Sequence, residues 1–495
     1  MNRRSFLKVA GASAMSLSLV GCAEGLVLNS AKSKKPNFIV IFTDDQGYAD
    51  VGCYGARDFE TPHLDKMAKE GVLFTDFYNG ASLCSPSRAG LMTGCYPQRV
   101  GIPFVFGGNS SIGLNHDEIT IAEVLKGQGY ATKCIGKWHL GDHKQFLPLN
   151  HGFDEFFGVP LSNDQCSGTY PNSHWGPLAL YDNEKQIEAN PDQTQLTTRY
   201  TEKAVDFINR KKDQPFFIYL PHTMPHWPLG VSDKFKGKSK LGEYGDVIME
   251  IDWSVGQIIE ALKDNGVDDN TCVVFLSDNG PALISSYHPY SAYPLKEGKM
   301  TVYEGGQRVP CIMRWPDRIP KGNVCKEVAT SMDFLPTFAR LAGTTEPQDR
   351  IIDGKDIKSL MFNEPGAKSP HEAFFYYQLT QLEAVRSGKW KLHFPHMSKN
   401  VYVNGTDTLP SKTKWVFQEK ALYDLERDPG EERNIIQRYP DVVKRLEAYA
   451  EEMRKDLGDK RHKWNVKQDG KPVLEPYVRD DIEGKNNRPI GRVKR

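Results

Sequence analysis

The stretch SLCSPSRAGLMTG, residues 82–94, puts a thiol (Cys84), a proline (Pro86) and a guanidinium (Arg88) within five positions, just ahead of an apolar pair, Leu91 and Met92. Ser85-Pro86-Ser87 carries a turn and helix-start signal. A thiol at a helix N-terminus beside an arginine sits in a positive field that favours anions and activated sulfur. Taken alone, Cys84 reads first as a free structural cysteine at a turn. A second set of chemistry-bearing residues is acidic: Asp44-Asp45 closes the apolar run NFIVIFT, and Asp278-Asn279 closes TCVVFLS. Carboxylates gathered there repel one another unless a cation sits between them. Four hard oxygen side chains with no histidine among them suit Ca²⁺ or Mg²⁺ rather than zinc. Either pair alone reads as a turn or a cap; both at strand ends of one sheet favour a cation. The third set is basic: Lys137 and His139 in GKWHL, His222 and His226 in PHTMPHWP, and Lys296, Lys299 and Arg308 in LKEGKMTVYEGGQRVP. In an extended segment Lys-x-His faces one way. A cation and an imidazole on one face suit an anionic oxyester, the lysine balancing charge and the histidine protonating the leaving oxygen.

These residues need a frame. NFIVIFTDDQG, PFFIYLPH and TCVVFLSDNGP share one grammar, a β-rich apolar run ending in polar residues, as expected of strands buried on both faces. Helical patterns alternate with them. Thr61-Pro62 opens one, and Ile248, Ile251, Val255, Ile258, Ile259 and Leu262 form an apolar stripe on another. The alternation predicts an α/β fold with a mostly parallel sheet, whose ligand lies outside the carboxyl ends of the strands, where both acidic pairs fall.

At 495 residues the chain can hold a large core and a smaller second unit. Lys+Arg and Asp+Glu both total 63, which argues against a general nucleic-acid binder, so an anionic substrate must be met by local positive charge. The first 21 residues hold Arg3, Arg4 and Lys8, then a weakly apolar run too short to span a bilayer, ending at Gly21-Cys22. NRRSFLK resembles a twin-arginine export signal and LVGC a bacterial lipobox. The implication is a signal peptide over 1–21, cleavage before Cys22, lipidation there, and a protein tethered to a membrane in the periplasm or cell envelope. The nine cysteines show no paired spacing, so neither a zinc knuckle nor a dense disulfide framework is indicated, although one or two bridges stay open.

The catalytic unit is expected over 36–366, and Pro, Gly and Lys rise in a linker at 362–373. A small antiparallel sheet with one helix follows over 370–459. The basic tail, 460–495, reads as a solvated end or as a glycan-contacting arm.

With these residues in view, the chain is similar to type I, formylglycine-dependent sulfatases, nearest in pattern to the arylsulfatase A-like and N-acetylgalactosamine-6-sulfatase-like members. SLCSPSRAGLMTG matches their signature at every position, and TDDQG, GKWHLG, HTMPHWP, SDNGP and GKMTVYEGG follow in the family's order; LYDLERDPGEERN resembles part of its C-terminal region. The resemblance runs from Asn37 to about Asn434. It implies an alkaline-phosphatase-like fold, a large mixed and mostly parallel sheet sandwiched by helices, and one Ca²⁺ per chain. It implies that Cys84 is oxidised to formylglycine (3-oxoalanine) by a formylglycine-generating or anaerobic sulfatase-maturating enzyme. One hydroxyl of the hydrated aldehyde then attacks sulfur, giving a covalent sulfate ester, and deprotonation of the second hydroxyl expels sulfate. Pro86 and Ser87 match the maturase recognition sequence, and Arg88 the residue that holds the hydrate. Asp44, Asp45, Asp278 and Asn279, with residue 84, match the calcium ligands. Lys137 and Lys299 match sulfate-binding lysines, His139 the histidine assisting the hydrate, His226 the leaving-group acid, and Ser162 a substrate-contacting serine. His222, His288, Lys296 and His393 are read as candidate sugar-subsite residues.

Two rival readings share some of these features. A phosphonate or phosphodiester hydrolase of the same superfamily carries the cysteine motif, but tends to have Asp-His where this chain has Asp278-Asn279. An inactive, surface-tethered glycan-binding protein would result from an unmodified Cys84. The substrate class expected is a sulfated carbohydrate of galacto configuration, by analogy with the look-alikes; a choline or small aryl sulfate is the alternative.

Overall fold

The computed structural model describes residues 35–108, 110–170, 175–283, 291–400 and 414–460, with short pieces of the tail at 465–466, 472–473 and 486–493. The export signal, Cys22 and His288 lie outside the described residues. Ten strands build the main sheet: β1 (Asn37–Thr43), β2 (Val72–Phe74), β3 (Ala131–Lys137), β4 (Glu155–Val159), β5 (Ala179–Asp182), β6 (Lys185–Ala189), β7 (Phe216–Pro221), β8 (Thr271–Ser277), β9 (Cys311–Arg314) and β10 (Asn323–Cys325). Their spatial order is β10-β2-β9-β8-β1-β7-β3-β4-β5-β6. The five central strands, β8 to β4, are mutually parallel, and antiparallel pairings begin at β9 on one side and β5 on the other.

The central runs are buried along their whole length because helices cover both faces. Phe38, Val40 and Phe42 of β1 pack with Ala89, Leu91 and Met92 of α1 (Cys84–Thr93). Ile39 and Ile41 pack on the opposite face with Tyr200 and Phe207 of α2 (Leu196–Lys211) and with Ile248, Ile251 and Val255 of α3 (Glu243–Asp264). Helix α4 (Phe334–Leu341) joins α1 on the first face through Leu335 and Phe338. The stripe read from sequence on α3 is therefore its core-facing side. Pro62–Lys69 is helical, but the Thr61 side chain makes no cap; its hydroxyl bonds Asp65 Oδ1 instead (3.2 Å).

The C-terminal sheet is antiparallel, β11 (Phe374–Gln378), β12 (Gln381–Ser387), β13 (Trp390–His393) and β14 (Ala421–Asp424) in sequence order. Helix α5 (Pro440–Leu457) closes it with Leu446, Ala450 and Leu457 against Leu382, Val385 and Leu392. The described end of the tail is docked rather than solvated. Arg488 pairs with the buried Glu118 carboxylate (2.7 and 2.8 Å), and 491–492 pair antiparallel with 112–113. Arg488, one of the basic residues that suggest a free end, serves a buried acid instead. Among the described residues no helix is long and apolar enough to cross a membrane, and all eight described cysteines are free thiols.

One glycine decides how closely the site strands approach. Gly136, next to Lys137, has φ +126°, and a Cβ there would lie 1.9 Å from the Pro221 carbonyl oxygen of β7. Gly136→Ala is therefore expected to cost on the order of 3 kcal/mol, overpacking and backbone strain contributing together. A denaturant titration against the unsubstituted protein checks it.

Candidate active site

Strands β1 and β8 run in register from Asn37↔Thr271 to Thr43↔Ser277, so the two acidic pairs emerge side by side at the carboxyl edge of the sheet. Asp45 turns there in the left-handed region (φ 64°), its N–H donating to Asp278 Oδ1 (3.1 Å). Non-glycine residues take that conformation at a cost, and such strain concentrates at functional sites. His139 (φ 57°) and Met300 (φ 70°) share it. The expectation that Lys137 and His139 lie on one extended segment is corrected accordingly: β3 ends at Lys137, and the chain turns at His139.

Helix α1 begins at Cys84 itself and is buried from end to end, which carries Arg88 into the interior. The Arg88 guanidinium donates to Asp278 Oδ2 (2.9 Å) and to the Lys137 carbonyl (2.7 Å), and lies 3.3 Å from Asp44 Oδ2. The Lys137 ammonium bonds Asp44 Oδ2 and donates to Ser162 Oγ (2.9 Å). Lys299 bridges Asp45 Oδ1 (2.7 Å) and Cys84 Sγ (3.3 Å), and Cys84 Sγ lies 3.5 Å from Asp44 Oδ1. His226 Nε2 is 3.6 Å from Asp45 Oδ2, with Nδ1 on the Trp227 carbonyl (2.5 Å). His139 Nε2 meets the Phe106 carbonyl (3.0 Å), while its Nδ1 is buried without a hydrogen-bond partner among the described residues. The structure thus brings Asp44, Asp45, Cys84, Arg88, Lys137, Ser162, His226, Asp278, Asn279 and Lys299 into one hydrogen-bonded or ion-paired site, with His139 at its edge.

The electrostatics follow from burial. Three carboxylates, Asp44, Asp45 and Asp278, face three cations, Arg88, Lys137 and Lys299. Burial opposes ionisation of Asp44, but Lys137, His226, Arg88 and Lys299 together hold it well below the usual carboxylate range. Burial, then repulsion from Asp44, pushes Asp278 up to about 7 against the pull of Arg88. Burial and the Asp44 carboxylate push the Cys84 thiol up, despite Lys137 and Lys299. That corrects the expectation of an activated sulfur: the helix terminus does not make this thiol a thiolate, since neighbouring carboxylates disfavour another anion. Burial and then Lys137 and Arg88 hold His139 well below the usual imidazole range.

The donor set accommodates a hard cation. Asn279 donates its amide to Asp45 Oδ1 (2.7 Å) and to the Gly280 carbonyl (2.8 Å), leaving its buried Oδ1 without a hydrogen-bond partner among the described residues. An orphaned amide oxygen beside three carboxylates is the environment a divalent ion satisfies. Ligand atoms of Asp44, Asp45, Cys84 and His226 lie within 4.8 Å of one another. The sequence reading kept histidine out of this group, and the fold brings His226 to it.

Other candidates lie elsewhere. His393 is buried on Glu431 (2.6 Å) within the C-terminal unit. Lys296 lies over the Tyr303 ring (4.3 Å to its centroid) and reaches the Glu431 carbonyl (3.5 Å). His222 is fully buried at the end of β7, and burial lowers it to about 4. Sequence reasoning missed Phe106, whose carbonyl orients His139, and Ser85, whose Oγ accepts the Phe106 N–H (3.1 Å) and ties that loop to the start of α1. A backbone acceptor leaves no side-chain signal to read.

A doubly covered, centrally parallel sheet with an acid-and-lysine site at its carboxyl edge defines the class as an alkaline-phosphatase-like α/β protein. The chain belongs to the sulfatase family: the sulfatase profile matches residues 36–344, and the profile for the C-terminal region of aryl-sulfatase matches 369–480. It is accordingly a sulfuric ester hydrolase. Canine (Canis lupus familiaris) N-acetylgalactosamine-6-sulfatase is 37% identical, with 92% of this chain and 93% of that protein covered. Human (Homo sapiens) arylsulfatase A is 38% identical, with 84% and 86% covered. Among solved structures, Ps i-CgsB in complex with k-i-k-neocarrahexaose superposes with a TM-score of 0.73 at 30% identity over 85% of this chain and 93% of that one. The PsFucS1 sulfatase from Pseudoalteromonas sp. superposes at 0.76 with 27% identity over 86% and 92%. A phosphonate monoester hydrolase of Agrobacterium radiobacter shares the fold alone, at 18% identity and a TM-score of 0.56, with 89% of this chain and 100% of that one covered.

Proposed function

We propose that this protein hydrolyses sulfate esters of carbohydrates, with galacto-configured sugars preferred, after Cys84 has been converted to formylglycine by a maturase. The observation that carries the reading is the position of residue 84 at the start of α1, against both the Asp44 carboxylate and the Lys299 ammonium. The Cys84 sulfur stands in for the hydrated aldehyde, one hydroxyl of which attacks sulfur and forms a covalent sulfate ester on residue 84. The names of the relatives, an N-acetylgalactosamine-6-sulfatase and a protein solved with a neocarrahexaose, support the sugar class.

Asp44, Asp45, Asp278 and Asn279, with residue 84, would hold one Ca²⁺. When bound, that ion polarises the attacking hydroxyl and the sulfate oxygens. Lys137 and Lys299, each already on a carboxylate, turn toward the anionic ester, with Ser162 positioning Lys137. The Phe106 carbonyl can only accept, so His139 carries its hydrogen on Nε2 and offers Nδ1 as the base toward the second hydroxyl. His226, fixed through Nδ1–H by the Trp227 carbonyl, presents Nε2 to the site beside Asp45 and, as the imidazolium, gives its Nε2 proton to the leaving oxygen. Arg88 balances Asp278 and Asp44 from beneath. The resemblance of NRRSFLK to a twin-arginine signal and of LVGC to a lipobox supports action at the cell envelope, on polysaccharide fragments.

Sulfate release is to be measured on galactose, glucose, fucose and glucosamine sulfates and on algal oligosaccharides, with mass spectrometry of the 82–88 region. We expect aldehyde at residue 84 and turnover of galacto-configured esters; silence on every such ester would overturn the sugar preference. Chelation is expected to lower the melting temperature, and calcium at a hundredfold excess over its Kd to restore about 2.7 kcal/mol. Asn279→Ala should need more calcium for the same shift, read by calorimetry without any substrate.

A further inference from the structure

The charged site accounts for a sulfate group but not for the sugar that carries it. Next to His226 the chain exposes aromatic surface that the proposed chemistry leaves unused. Trp227 is 36% exposed and Tyr170 42% exposed. Their ring centroids lie 6.2 Å apart at 57°, and Tyr170 lies 5.6 Å from Trp175 at 71°. A cavity of about 460 Å³ opens along Trp227, and a neighbouring one of about 240 Å³ opens along Trp175; Leu178 lines both.

One wall residue of each cavity is hydrogen-bonded to a site histidine or to the carbonyl that holds it. Trp227 gives its carbonyl to His226 Nδ1. Gln165, on the wall of the second cavity, donates to the Phe106 carbonyl (2.7 Å), which also meets His139 Nε2. Of the aromatic residues, Trp227 is thus one chain position from His226 and Trp175 one wall residue from the carbonyl that holds His139. Large aromatic side chains left open next to a concave polar site are the usual furniture of a ligand pocket, since stacking on them recovers apolar contact that water cannot give.

We infer that Tyr170, Trp175 and Trp227 form a stacking wall for the pyranose ring of the sulfated sugar, an inference that rests on the sulfatase reading above. The chemistry favours a galacto-configured ring. Its axial O4 leaves the hydrogens on C3, C4 and C5 together on the opposite face, an apolar patch suited to an aromatic plane. A gluco-configured ring splits those hydrogens between its two faces and stacks less well. Trp227 then performs two tasks at once, holding the ring through its indole and holding His226 through its carbonyl.

The test uses the full-length, matured, calcium-loaded enzyme on a galacto-configured sugar sulfate. Tyr170→Ala and Trp227→Ala are expected to raise KM at least tenfold, with kcat within about threefold for Tyr170→Ala, and Trp227→Phe is expected to recover most of the loss. Both side chains are exposed, so thermal melts should match the parent and confirm folding. Unchanged KM in both alanine variants of an enzyme that does turn over sugar sulfates would overturn the wall alone. An unsubstituted, matured enzyme that released no sulfate from any sugar would overturn the sulfatase reading itself.

Discussion

Cys84→Ala is expected to release sulfate at least about 10⁴-fold more slowly than the matured enzyme, because under the proposed mechanism it removes the side chain from which the attacking hydrate is made rather than a group that assists it. The same variant should fold normally, since it deletes a single buried sulfur whose polar contacts, to Asp44 and Lys299, leave those two groups with other partners. Sulfate release by ion chromatography together with a thermal melt separates the two effects. An unmatured protein that keeps the native thiol should be nearly as slow. Burial and the nearby Asp44 carboxylate keep that thiol protonated, so it offers no thiolate to replace the hydrate. Undiminished turnover by a folded alanine variant would end the mechanism.

The second large effect lies outside the site. Glu304 is fully buried and accepts from Tyr78 (2.5 Å), Tyr376 (2.7 Å) and Lys391 (2.9 Å), with Arg308 at 3.4 Å and Arg386 at 3.7 Å. Burial works against its ionisation, but Lys391, Arg386 and Arg308 outweigh it and hold the carboxyl well below its ordinary range. Tyr376, Arg386 and Lys391 belong to β11, β12 and β13, so this one carboxylate joins the C-terminal sheet to the catalytic unit. Glu304→Ala leaves buried cations short of a partner and is expected to cost about 3–5 kcal/mol. Against a typical domain stability of about 5–15 kcal/mol, that is a large fraction. Chemical denaturation reads it directly. Glu304 opens a short helix five residues after Lys299, so activity should fall as well.

The second prediction rests on something the sequence did not disclose. GKMTVYEGG was readable as a motif because Lys299 stands in it, whereas Glu304 in the same motif looks like any loop acid. Its five partners come from Tyr78, Arg308, Tyr376, Arg386 and Lys391, four of them at least 70 residues away in the chain. Glu431 behaves alike: in the sequence it is one of two adjacent acids in DPGEER, and in the fold it is buried between Lys391 and His393. In the sequence His393 reads as a candidate sugar-subsite residue, whereas in the fold its Nε2 meets that carboxylate. Arg488 in the tail is hidden from the sequence for the same reason. Arg488 counts toward a solvated basic end until Glu118, 370 residues earlier, is found beneath it.

The sequence by itself determined the ingredients and their local settings: fully apolar strands that must be buried on both faces, acidic pairs at their ends, a cysteine at the start of a helix, and the lysines and histidines of the later motifs. Those features depend on residue type and on spacing within one element, and periodicity exposes such local constraints. Tertiary structure alone decided that β1 and β8 lie in register, so that two pairs more than 200 residues apart become one cage. It also decided that Asp45 and His139 adopt left-handed backbone, that a backbone carbonyl orients each histidine, and that His226 rather than His222 faces the cage. These outcomes come from long-range packing and main-chain acceptors, which overrule local preference and leave no mark on the order of side chains.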